Sequence, residues 1–228
     1  MMKKYVALHH LYSRNYIYYS KMLTCVTLVP SLLTCCNCTH YFCAGAHCLD
    51  KWLTSDPGRW DVITFQFGLH DLALDNERLE PDTLYTHYLT NITQRIADAA
   101  PKAKIVWVTT TPVPLGIGGH CNKTTRQGGC PPRRATDPAI YNAAAAKAVA
   151  AAPAASRIEV LDLYSVVTKK CGVAYNRCPE GCTATKQPHG GGWEGNCYQI
   201  PLNVHYLPAG WADLAGAYVN AVVNALES

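Results

Sequence analysis

Trp60-Asp61-Val62-Ile63-Thr64-Phe65-Gln66-Phe67-Gly68-Leu69-His70-Asp71 is the stretch from which the fold can be read. It begins as a short apolar run and ends in a glycine followed by polar residues. A strand buried on both faces has this form, because no alternate position has to meet water. Glycine past its end lets the backbone reverse sharply. A second such run, Lys104 to Thr111, is stopped by Pro112, and a third spans Arg157 to Leu163. Helical patterns separate them. Ala46 to Ser55 ends before Asp56-Pro57-Gly58, and Pro81-Asp82 opens a segment with Leu84, Tyr88, Ile92 and Ile96 at four-residue spacing. An Ala-rich helix runs from Asp137-Pro138 to about Ala151, and a last one from Pro208 to about Leu226. Helices alternating with buried strands imply right-handed crossovers and a parallel sheet covered on both faces, a three-layer α/β/α architecture. Reactive groups in such folds collect at the carboxyl ends of the strands.

The chain of 228 residues, 49% hydrophobic, is long enough for one α/β domain with a sizeable core. Its net charge of +4 is scattered, and after Lys3-Lys4 the tight basic pair is Arg133-Arg134, beside two prolines. A nucleic-acid partner needs clustered basic residues with interleaved aromatics, and that pattern is lacking. No run of 18 apolar residues occurs, so no integral membrane segment is expected.

Phe67-Gly68-Leu69-His70-Asp71 stands at a strand end, where Asp71 is placed to cap a following helix and exposed N–H groups could face a substrate oxygen. Asn203-Val204-His205-Tyr206-Leu207-Pro208-Ala209-Gly210 leads into the last helix, with Pro208 as a first-turn residue and His205 in the loop ahead of it. From about residue 46 to 228 these two blocks resemble two of the four sequence blocks of the SGNH/GDSL hydrolases, a family of esterases, lipases and carbohydrate deacetylases with a flavodoxin-like fold. The resemblance implies His205 as general base and the Gly68 backbone with His70 as oxyanion donors, His70 standing where the family has Asn. It implies a small-molecule or carbohydrate ester as substrate, and no cofactor or metal.

The departures matter as much. The family has Asp three residues before its His, and here that position is Leu202, with Asn203 adjacent but uncharged. The family's nucleophile lies in a Gly-Asp-Ser block after the first strand, yet no Gly precedes Gly45. Without a Ser beside a base, acyl transfer has no starting group. The first strand is therefore expected to be missing or replaced, with part of 22 to 34 as a substitute, and the chain to be a catalytically silent hydrolase. The alternative is a non-catalytic Cys-rich binding protein on the same fold. Asp162, at the end of the third strand, is either a substitute acid or a cap.

Twelve cysteines fall into two sets, six within residues 25 to 48 and six at 121, 130, 171, 178, 182 and 197. The second set sits in Gly- and Pro-rich loops (113 to 135 and 169 to 202), which suits disulfides and a secretory route. Cys121 with Cys130 is the simplest closure, while Cys178, Cys182, His189 and Cys197 offer a looser zinc arrangement. Sequons at Asn37, Asn91 and Asn122 agree with secretion. Residues 1 to 45 form an atypical segment ahead of the 46 to 228 domain. It reads as a secretion signal near Lys21 or Met22, as a Cys-rich module, or as translated intron. The last is favoured, because the codons of Tyr41-Phe42-Cys43-Ala44-Gly45 have the form TAY-TTY-TGY-GCN-GGN, a pyrimidine-rich tract compatible with a closing CAG, as introns commonly end. Trp193 and Trp211 could stack on a sugar ring or pack in the core. His87 is expected at the surface, and His120 in a loop.

Overall fold

The computed structural model describes residues 5–8, 49–50, 53, 60–73, 79–115, 133–175, 177–179, 181–186 and 193–228. Four parallel strands, β1 (Tyr5–Leu8), β2 (Val62–Phe65), β3 (Lys104–Val108) and β4 (Ile158–Leu161), pair in the order β1-β2-β3-β4. Tyr5 lies opposite Val62, Val62 opposite Lys104, and Ile105 opposite Ile158. The place of the first strand is thus taken by residues 5–8; the substitute expected from 22 to 34 lies outside the described residues. The strands are shorter than their apolar runs because the ladder gives way to side-chain bonding at the carboxyl ends. There Gln66 Nε2 donates to the Thr109 carbonyl at 2.8 Å.

Both faces of β2 and β3 are buried, and successive residues serve opposite layers. Ile63, Phe65, Ile105 and Trp107 pack with Leu89, Ile92, Ile96, Tyr141 and Val149, on the helices α1 (Thr86–Ala99) and α2 (Asp137–Ala150). Val62, Val106 and Val108 pack with Leu163 and Val167 of α3 (Leu163–Cys171) and Leu214 and Val222 of α4 (Pro208–Glu227). Thr64, the polar member of that second face, is paired with the Tyr218 hydroxyl from α4. The three-layer α/β/α arrangement follows directly. β4 is covered less well, and Val160 stays 56% exposed.

The segment beginning at Pro81 departs from its sequence pattern. Residues Pro81–Tyr85 form a wide π turn, closed by the Tyr85 N–H on the Glu80 carbonyl at 3.2 Å, before α1 begins. The extra residue in that turn rotates the register. Leu84 is left 51% exposed, and the buried stripe becomes Tyr85, Leu89, Ile92 and Ile96. At the other end of α1, Arg157 gathers carbonyls of the helix end and of the turn that leads into β3. Its Nη1 donates to Ala100 and Ala103 at 3.0 and 2.9 Å, and its Nη2 to Ala97 at 3.2 Å.

α3 has no counterpart in the sequence reading. Asp162 caps it, accepting from the Ser165 N–H at 3.1 Å and from the Ser165 hydroxyl, so its capping role holds and Ser165 is engaged there. The loop that follows carries an antiparallel hairpin, β5 (Ala184–Lys186) and β6 (Trp193–Gly195), and two disulfides, Cys171–Cys178 and Cys182–Cys197. Three of the four ligands of the zinc arrangement are consumed in these bonds, and that arrangement is ruled out. Cys121, Cys130 and His189 lie outside the described residues, as do the sequons at Asn37 and Asn122; Asn91 is exposed on α1. No helix of the described residues is long and apolar enough to cross a membrane.

Removing the Arg157 head group should be costly, because three carbonyls, at the end of α1 and in the turn into β3, lose a charged donor together. Arg157→Ala is expected to lower stability by about 2 kcal/mol in urea unfolding, with Arg157→Lys recovering only part, since a single ammonium cannot span the three acceptors.

Candidate active site

Gly68 ends β2 in a conformation that side chains rarely adopt, with φ at 147°. A Cβ built there would lie 2.1 Å from Thr110 Oγ1, on the loop after β3. Thr110 Oγ1 itself donates to the Phe67 carbonyl at 3.3 Å, so the two strand ends are clasped at this glycine. A tight turn follows: the Leu72 N–H donates to the Gly68 carbonyl at 3.0 Å and the Ala73 N–H to that of His70 at 3.2 Å. Asp71 lies in a turn, and residues 74–78, where a helix capped by it would run, lie outside the described residues. It is buried, 4% exposed, and its carbonyl accepts from the Leu79 N–H at 3.0 Å. Below it Tyr85 donates to the Phe67 carbonyl at 3.2 Å, and burial together with the Asp71 charge keeps its phenol protonated far above the usual range. His70 is half-buried on the same turn.

His205 is delivered by a compact loop ahead of α4. The Ile200 N–H donates to the His205 carbonyl at 2.9 Å, and the Asn203 N–H to the Ile200 carbonyl at 3.1 Å. Closing so small a ring puts Leu202 in the left-handed region, with φ at 54°. The Asn203 side-chain oxygen then takes the His205 backbone N–H at 3.1 Å and lies 2.6 Å from the ring Nδ1. Pro208 starts α4 as expected, and Gly210 is required two residues on: a Cβ there would meet the Tyr198 carbonyl oxygen at 2.3 Å. Trp211 is packed against the Tyr206 ring in the core layer under this loop, with centroids 6.4 Å apart. The side chain of Trp193 lies outside the described residues, as does His120, while His87 is exposed on α1.

The residue that links the two blocks is Arg133, which sequence reasoning noted only as half of a basic pair. It is 6% exposed, whereas Arg134 is exposed. Its Nε donates to the Leu69 carbonyl at 2.6 Å, inside the glycine turn, and its charge bears on His205. Leu69 and Val204, the neighbour of His205, pack against one and the same apolar cluster. Its place directly after Pro131-Pro132 gives no sign of this burial, because the contact that holds it is 64 positions away.

His205 is accessible at the surface, yet enough protein crowds the imidazole to desolvate it. Burial and then the Arg133 charge lower its pKa below the ordinary 6.5. The site therefore favours a neutral ring, able to accept a proton. Among the described residues no group of three metal-ligating side chains is found.

No family model matches the chain, and no curated protein matches it. Two solved structures are similar in fold. One, assigned provisionally to a platelet activating factor of Streptococcus pneumonia, is 16% identical with a TM-score of 0.47, over 72% of this chain and 61% of that one. The chain thus spans about three fifths of that protein's length. The second is 15% identical with a TM-score of 0.44, over 78% of this chain and 69% of its own. Likeness at this level carries no weight for activity.

Two outcomes test the geometry. Gly68→Ala should destabilise the chain by about 2 kcal/mol or more in thermal unfolding, and Thr110→Ala in the same chain should restore part of the loss by removing the clashing oxygen. In an NMR titration His205 should have its midpoint below 6.5, and Arg133→Met should raise it part of the way back, since burial remains. The sign for stability follows: between the lowered pKa and 6.5 the unfolded chain binds more protons, so the contribution of His205 is full above 6.5 and lost as pH falls through the folded value.

Proposed function

We propose that the chain is an SGNH-type ester-hydrolase domain, about residues 46 to 228 with the strand at 5–8 added to its sheet, with His205 as general base and Gly68 and His70 as oxyanion donors. The observation that most supports this is Arg133, whose guanidinium holds the Leu69 carbonyl of the glycine turn at 2.6 Å while its charge reaches His205. Two blocks far apart in sequence thereby share one neighbour at the carboxyl ends of the strands. In such a site the His205 Nε2 takes the proton of an attacking hydroxyl. The Gly68 N–H and an imidazole N–H of His70 donate to the oxygen that gains charge at the acyl carbon. Asp71 supports the turn from below and does not touch substrate. The substrate class is a carboxylic ester, of a small molecule or of an acetylated carbohydrate. Two disulfides favour placement in the secretory pathway.

The attacking hydroxyl is the part that the sequence does not supply. Ser165 is held by Asp162 at the start of α3, and no Gly-Asp-Ser block can be written before Gly45. The 228-residue chain should therefore bind esters and turn them over little or not at all. A p-nitrophenyl acetate assay on folded, disulfide-intact chain should show no release above the spontaneous rate. Joining an upstream exon that carries Gly-Asp-Ser to Ala46 should confer hydrolysis, and His205→Ala should abolish it. Turnover by the chain as it stands, unaffected by His205→Ala, would refute the assignment.

A further inference from the structure

We propose that Asn203 replaces the absent acid as the positioning residue of His205, fixing the ring as the tautomer protonated on Nδ1 and leaving Nε2 as the free acceptor. This inference rests on His205 being the base of the site described above.

The argument turns on which end of the Asn203 amide faces the ring. One oxygen, Oδ1, stands 3.1 Å from the His205 backbone nitrogen and 2.6 Å from its Nδ1. A backbone N–H can only donate, so the group opposite it has to be an acceptor. Rotating the amide by half a turn would set its NH₂ against that N–H, donor to donor. The backbone therefore selects the carbonyl end, and the ring nitrogen lying against the same oxygen has to carry the proton. Nε2, across the ring, is left with its lone pair.

This differs from replacing the acid of a serine-protease triad by Asn, where the amide settles with the ring in the wrong tautomer and turnover falls about 10⁴-fold. Here a second donor to the same oxygen removes that choice. Asn203 is half-buried and its own N–H is bound to the Ile200 carbonyl at 3.1 Å, so the side chain starts from a fixed backbone. What an amide cannot do is stabilise the imidazolium. Arg133, the charged group that bears on the ring, opposes the imidazolium as well. Asn203 thus sets orientation without adding basicity, and the two functions that a carboxylate combines are separated.

The test reads the ring directly in the full disulfide-intact chain. In long-range proton–nitrogen spectra above pH 6.5, with His205 assigned by its loss in His205→Ala, Nδ1 should have the shift of a protonated ring nitrogen and Nε2 that of a bare one. Asn203→Ala should move the population toward the Nε2-protonated form that free histidine prefers. Asn203→Asp should keep the Nδ1 proton and raise the His205 pKa by about one pH unit. A bare Nδ1 in the wild-type chain overturns the proposal, and so does an unchanged tautomer in folded Asn203→Ala. Should the alanine variant not fold, Asn203→Asp decides alone: a pKa no higher than wild type means that the contact is absent. None of these readouts uses hydrolysis, so a silent ester assay leaves the proposal standing, and a wrong tautomer leaves the glycine turn and its oxyanion role untouched.

Discussion

Two-sided burial of β2 and β3 is the constraint from which the remaining structure follows. Neither face of Val62–Phe65 or of residues 105–108 meets water, so helices have to cover both, and parallel pairing leaves every connection to cross from one strand end back to the start of the next. The carboxyl ends then become the one edge where irregular chain accumulates. Gly68 and the loop after β3 meet there, and the Arg133 loop returns to the same place. The site is a by-product of how the sheet is buried, and its side chains are selected on top of that.

Much of this was legible beforehand, and the failures have identifiable physical causes. The apolar runs at 62–65 and 104–108 announced buried strands because both faces are apolar, the run at 158–161 announced a strand that proved only partly buried, and Pro at 138 and 208 marked helix starts because proline suits a first turn. β1 went unread since four residues, Tyr-Val-Ala-Leu, are too few for any periodicity. α3 was missed because its nine residues bury only Leu163 and Val167. Ile92 and Ile96 held their places in the buried stripe, but its first two members moved from Leu84 and Tyr88 to Tyr85 and Leu89 because a π turn leaves no mark in the spacing. At the site, Gly68 and the His205 loop could be found from turn chemistry. The burial of Arg133 could not, since a long-range contact from Leu69 to a residue 64 positions later has no local signature.

The electrostatics of the site are those of a base without a counter-ion. Crowding and a nearby guanidinium both disfavour charge on His205, and the partner at its Nδ1 is neutral. Such an arrangement suits a ring that accepts a hydrogen bond or a proton in passing, and suits poorly one that has to remain an imidazolium.

Leu202 shows what the small loop costs. A leucine at φ 54° sacrifices roughly 1–2 kcal/mol relative to an ordinary backbone, and its side chain, 54% exposed, recovers little of that through packing. The strain is held by a few short-range bonds within 200–205 and by the anchoring of the neighbouring chain beneath them. The backbone strain at Leu202 therefore works against the bonds that close the loop. The imidazole thus rides on a loop whose closure is set against the preference of one of its own residues, so its geometry depends on the bonds within 200–205 staying made.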